Sequence, residues 1–214
     1  IDESAQQCNL VLAKAKGVHK LEGKAEEGLG RIEIKRGNNQ AAISHFETAA
    51  ERYAAVPAAH LRILLRIAPL KANVGAIRES LALCAFVEKE SIALSRDPKT
   101  EANGNYLRFL AIAERGRIEN LMGWYEQARV DFEAGIDLAG NVLSVDAAAV
   151  RSIEKNNARN TMQLGNLLHA RELFNGLLKQ ARKNGQLEEE GLILADLGQI
   201  ERLGEHVDMT EGDG

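Results

Sequence analysis

A chain of 214 residues with 45% hydrophobic residues is long enough for one or two folded domains or one repeat array, which excludes disorder throughout. Aromatic residues make up only 4% and prolines number three, while Ala and Leu abound, so helices packed through small and medium side chains are expected and a β-sandwich is not. The formal net charge of −4 with 27% charged residues carries no chain-wide basic footprint for nucleic acid.

Gly, Pro and polar punctuation divides the chain into helices, in this order. A leading helix over about 3–16 stands as the second half of a truncated repeat. Paired helices follow over 20–36 and 38–54, 58–72 and 76–95, 101–122 and 124–140, and 145–164 and 166–184; a single helix over 187–204 closes the series. Breaks fall at Pro57, at SRDPKT, at AGNVLS and at KNGQ. The last residues, DMTEGDG, are acidic and expected to fray. The expected domain division is therefore a leading helix in 1–19, a helical array in 20–204 and an acidic tail in 205–214.

No apolar run approaches the roughly 18 residues that span a bilayer, and AAHLRILLRIAPL carries two arginines and a proline, so no membrane association is expected. A signal peptide is not recognisable. Ile1 in place of Met leads to the expectation of a piece of a longer protein, with the cytoplasm as its compartment.

Three stretches share one spacing: GNNQAAISHFETAA from Gly37, GWYEQARVDFEAGI from Gly123 and GNLLHARELFNGLL from Gly165. Each has Gly, Ala five residues on and Phe four after that, giving Ala42 with Phe46, Ala128 with Phe132 and Ala170 with Phe174. Ala82 with Phe86 is aligned as a fourth pair, which separates successive alanines by 40, 46 and 42 residues. Residues four apart share a helix face, so each pair predicts a packing contact. Seven residues before each turn Gly stands a small residue, Gly30, Gly116 or Ala158, where one helix can approach another closely. Leu197 and Gly198 repeat Leu29 and Gly30 and open a fifth unit.

Leu29, Gly30, Gly37, Ala42, Phe46 and Ala49 resemble the tetratricopeptide repeat (TPR) signature, in which a Leu-Gly pair, a turn Gly and then Ala, an aromatic and Ala recur at these offsets. Gly116, Gly123, Tyr125, Ala128 and Phe132 carry the resemblance again, and Ala158, Gly165, Ala170 and Phe174 a third time. It covers roughly 20–204, lacks the family's usual first-helix Trp and Tyr, and has a period above the roughly 34 residues of the standard form. In this it is similar to the long-period arrays of bacterial regulatory and signalling proteins. The resemblance implies an all-α fold, a right-handed α-solenoid of four to five helix-turn-helix units stacked because none buries its apolar face alone. It also implies a concave groove that takes a peptide.

The residue after the small first-helix position is Arg31, Arg117 or Arg159, with Lys71 assigned to the second unit and Gln199 in the fifth; Asn120, Gln163 and Arg202 lie a turn away. The resemblance implies that this position looks into the groove, so these eight residues are the candidate partner-binding set. Cations in a ladder suit carboxylates or phosphates, Arg above all because it binds them bidentately. The competing reading is a solvated face whose cations pair with nearby glutamates.

Elsewhere the residues do not converge on chemistry. The histidines form no His-Glu-x-x-His pattern, and SIEK at Ser152–Lys155 lacks the partner motifs of the Ser-x-x-Lys enzymes. GLGRIE lacks the third glycine of a dinucleotide fingerprint. Glu188, Glu189 and Glu190 sit where a helix start favours acids. Cys8 and Cys84 read as buried, unbridged thiols. Of the aromatic pair after the turn, Tyr125 is expected in the core and Trp124 outside. No catalytic residue, metal ligand or cofactor is expected. The function expected is a non-enzymatic protein-interaction scaffold that binds a peptide or partner protein of acidic character in its groove. The alternatives are a peptide-sensing regulatory arm of a signalling protein or transcription regulator, and a homo-oligomer joined through its terminal helices.

Overall fold

A computed structural model describes residues 2–141 and 145–211, with side chains for 3–141 and 145–204. The last half of the expected break at AGNVLS, and the final residues of the expected tail, lie outside the described residues. Ten helices are present among those described: α1 (Asp2–Lys14), α2 (His19–Lys35), α3 (Asn39–Arg52), α4 (Pro57–Asn73), α5 (Ile77–Ser95), α6 (Glu101–Leu121), α7 (Tyr125–Asn141), α8 (Ala147–Gln163), α9 (Leu167–Lys183) and α10 (Leu187–Glu211). Helix α10 continues past the expected end at 204.

The turn from first to second helix is the same four times. Gly37, Gly75, Gly123 and Gly165 have φ of +79°, +84°, +77° and +80°, a left-handed conformation that costs a side chain strain and glycine nothing. The next residue's N–H then reaches back five residues, as from Asn38 to the Glu33 carbonyl (2.9 Å) and from Trp124 to that of Glu119 (2.9 Å), which closes carbonyls left open at a helix end.

Counting from these glycines corrects the second unit. Five and nine residues after Gly75 stand Ser80 and Cys84, both fully buried, whereas Phe86 is 46% exposed. The alignment of Ala82 with Phe86 is therefore two residues out of register. A helix fixes each residue's direction by its distance from the helix start, so the turn and not the Ala-Phe identity decides which residues face inward. Ser80 turns its hydroxyl to the Ala68 carbonyl (2.6 Å), so a polar residue fills an alanine's place without an unpaired donor. The same shift makes Ala68 the small first-helix residue of this unit, followed by Pro69 and not by Lys71.

The chain divides into two compact units, Ile1–Ile118 and Glu119–Gly214. In the first, Ala42, Phe46 and Ala49 of α3, with Tyr53 at its C-terminal cap, pack with Ile63, Ile67 and Leu70 of α4. A Cβ at Gly30 would stand 2.9 Å from the Phe46 ring, and one at Gly23 would stand 3.0 Å from the Tyr53 ring, so α2 lies against α3 at a distance only glycine allows. In the second unit Ala158, Ala170, Phe174, Leu177, Ala181, Ile193 and Ile200 form the core of α8, α9 and α10. Phe132 and Ala128 are likewise fully buried. Burying each ring contributes on the order of 2–3 kcal/mol, which makes the three matching phenylalanines the anchors of their units. The Cys84 thiol is buried as expected, but Cys8 is only half-buried.

Candidate partner-binding surface

In the first unit the strongest charge cluster joins α2 and α4. Glu27, 6% exposed, is met by Arg31 one turn on in α2 and by Arg66 Nε of α4 at 3.5 Å. Arg66 lies close enough to Arg31 and Arg62 that both disfavour its charge; burial is the largest cause of its lowered pKa, Arg31 the next, and Glu27 works the other way. Its Nε is buried with no hydrogen-bond partner. Tyr53 borders the cluster, its hydroxyl pushed up by burial and then by Glu27. Two guanidinium groups thus share one carboxylate with the Arg62 charge close to Arg66, and this local excess of positive charge suits an incoming anion.

Arg117 and Lys71 in this unit are matched by acids of their own, whereas Arg108 and Arg115 share one. Arg117 grips Glu114 of its own helix through Nε (3.0 Å) and Nη2 (2.7 Å), bonds that hold its pKa up. Lys71, 19% exposed, lies between Glu79 (2.8 Å) and Glu47 (3.5 Å). Arg115 of α6 binds Glu88 of α5 at 2.6 Å, with Arg108 Nε 4.0 Å from the same carboxylate.

In the second unit two cations of α8 tie first helix to first helix. Arg159 of α8 holds Asp196 of α10, 8% exposed, through Nε (3.0 and 3.1 Å) and Nη2 (2.8 Å). Lys155 reaches Glu189 at 2.7 Å. Asn120 donates to Oδ1 of the fully buried Asn160 (2.6 Å), whose Nδ2 donates to the Tyr125 carbonyl (2.8 Å). Gln163 and Arg202 are exposed and Gln199 is half-exposed. The acidic start of α10 is used within the unit, since Glu190 takes Arg182 at 2.8 Å beside the Glu189 pair.

Of the candidate set, then, Arg31 joins the open cluster, Lys71 stands outside the repeat register, and Arg117 and Arg159 are each clamped bidentately to an acid. Asn120 is engaged with Asn160. Sequence reasoning missed Arg62, Arg66, Glu27 and Tyr53. Their signal was available: Arg62 and Arg66 stand four apart in AAHLRILLRIAPL, on one face of α4. Trp124 is 44% exposed, and Tyr125 lies half-buried.

Alternating first and second helices, glycine turns at fixed offsets and buried small-aromatic pairs define an all-α TPR-like helical-repeat fold. Solved structures share it. A Podosopora anserina protein described as a kinesin light chain with nearly identical TPR-like repeats matches with a TM-score of 0.59 and 17% identity, over 87% of this chain and 97% of that one. A form of the same protein with one residue replaced by Met matches at 0.57 and 17%, over 86% and 96%. No protein-family model matches the chain, and no curated protein matches it. No helix among the described residues is long and apolar enough to cross a membrane.

Proposed function

We propose that the chain is a protein-interaction scaffold that takes an acidic peptide, or an acidic segment of a partner protein, on its first helices. The observation that carries this reading is the pair Arg31 and Arg66 on the carboxylate of Glu27, with the Arg62 charge close to Arg66 and the buried Arg66 Nε left without a hydrogen-bond partner. A peptide carboxylate meeting that cluster replaces repulsion among the arginines with charge-assisted hydrogen bonds. A few such anchors on a preformed surface are enough for specific binding. Arg117, Arg159, Lys71 and Asn120 act in this reading mainly as braces, while Gln163, Gln199 and Arg202 are candidate contacts of the second unit by itself.

Selection of a random peptide library against the whole chain tests this. Enriched peptides are expected to be rich in Asp and Glu and to lose most of their affinity on Arg62→Ala with Arg66→Ala. Enrichment without acidic residues, or acidic peptides that bind the double variant unchanged, would refute it. A second reading, self-association, rests on the apolar side chains that the end helices expose, Leu10 of α1 (53%) and Leu187 and Leu192 of α10 (80% and 46%). Sedimentation that shows one concentration-independent monomer removes that reading.

A further inference from the structure

A pocket of about 280 Å³ opens in the second unit between α7 and α9, over α8. Its apolar wall is Ile136, Leu173 and Leu177, and its polar groups include Glu154, Asn157 and Glu172. Among the described lining residues none is cationic. Asn157 is 8% exposed and its Oδ1 has no hydrogen-bond partner. Thr161 takes only the Asn157 backbone carbonyl (2.8 Å). Burial is the larger influence on Glu154 and disfavours its charge, with Arg151 on the preceding turn only partly offsetting it. Glu172 is mostly exposed and has His169 Nδ1 at 3.4 Å.

In the repeat register, α8 alone of the five first helices is polar at both of two positions that mostly carry apolar residues. The position before the small first-helix residue is Leu29 in α2, Ile67 in α4 and Leu197 in α10, but Arg115 in α6 and Asn157 in α8. Three residues earlier stand Leu64 in α4, Ile112 in α6 and Leu194 in α10, but Glu26 in α2 and Glu154 in α8. Packing alone would favour leucine at both, because an unpaired buried acceptor costs about 1–3 kcal/mol. On α9 the pocket is kept open by Gly176, where an added Cβ would meet nothing within 4 Å. A glycine inside an exposed helix gives up about 1 kcal/mol relative to alanine, so this opening also runs against local helix stability.

We propose that this pocket is a binding site for an alkyl guanidinium, with the planar fork on Glu154 and Asn157 and the stem along Ile136, Leu173 and Leu177. The volume is close to the lower end of ligand pockets, about 300 Å³, and so suits one side-chain-sized group. Guanidinium fits the donor-poor lining better than ammonium. It presents paired N–H groups in one plane to a carboxylate and an amide, and it is more weakly hydrated. The same group can arrive as an arginine side chain of a partner or as a free small molecule. The site is separate from the cluster on α2 and α4 and stands without it.

The test is an NMR titration of the full chain with n-butylguanidinium, against neutral n-butylurea as control. Saturable shifts are expected at Gly176 and at the Asn157 side-chain amide. Glu154→Gln should weaken binding about tenfold or more, as loss of a charge-assisted bond does. Gly176→Leu, which fills open space on a helix, should abolish it while the helical circular dichroism is retained. N-acetyl-arginine-N-methylamide distinguishes the sources: binding equal to butylguanidinium identifies a partner's arginine, and its exclusion identifies a free ligand. Equal binding of butylurea, no saturable shift, or shifts that persist in Gly176→Leu would overturn the proposal.

Discussion

Arg159 on α8 and Asp196 on α10, 37 positions apart, meet with both Nε and Nη2 of the guanidinium on the carboxylate, the shortest contact being 2.8 Å. The carboxylate is nearly buried and the arginine is 41% exposed, so solvent screens the pair but leaves the acid dependent on it. The arginine is thus a brace between successive first helices before it is anything else. Arg159→Gln should lower stability by about 1–2 kcal/mol, since it strands a carboxylate with no comparable partner. Asp196→Asn should cost less, and a double-mutant cycle in urea should return a coupling of about 1 kcal/mol. Additive losses would mean that the pair does not hold α8 to α10.

Gly30 and Gly191 are both helix glycines, and alanine should affect them in opposite directions. The new Cβ at Gly30 lands 2.9 Å from the Phe46 ring, whereas at Gly191 it meets nothing within 4 Å. Gly30→Ala should destabilise by about 1–3 kcal/mol through overpacking. Gly191→Ala should stabilise by up to about 1 kcal/mol through helix propensity. Thermal melts of the two variants check this, and equal shifts would show that α2 does not approach α3 as closely as described.

Phe132 and Phe86 each follow an alanine by four residues, yet one is fully buried and the other 46% exposed. Phe132→Ala should therefore cost about 3–5 kcal/mol, the range for emptying a core ring site. Phe86→Ala should stay within about 0.5 kcal/mol of the parent chain. Chemical denaturation separates the two readily, and a large loss at Phe86 would restore the register that the Gly75 turn excludes.

Two carboxylates should give pH profiles of opposite sign. Glu22 is held below its ordinary pKa, first by the Gly17 N–H at 2.9 Å and then, against an opposing burial effect, by Arg52 and His19. Its contribution to stability is present above the ordinary carboxylate value and is lost as pH falls through the lowered one. Glu154 is raised by burial against the pull of Arg151, so its contribution is full below the ordinary value and is lost as pH rises through the raised one. Relative to the parent, Glu22→Gln should lose most stability toward neutral pH and converge in acid. Glu154→Gln should gain toward neutral pH. Melting temperatures across the carboxylate range check both signs.

The sequence by itself determined the helices, the glycine turns and three of the buried pairs. These depend on the residues between one turn and the next helix: a left-handed glycine, a 3.6-residue period, and a small and an aromatic side chain on one face. Helix ends came within a few residues for the same local reason, except at α10. The repeat register of α5 was written in the turn at Gly75 but obscured by the closer match of Ala82 and Phe86 to the other pairs. Tertiary structure alone decided what the cationic positions do. Arg159 meets Asp196, and Arg66 joins Arg31 at Glu27, across intervals no helical period links. Whether an arginine is a brace or an open anchor depends on which carboxylate the neighbouring helix brings within about 4 Å, where Coulomb energy and hydrogen bonding become large enough to fix a side chain. The same holds for the pocket over α8, whose walls come from three helices and whose polar floor acquires its character only when they close around it.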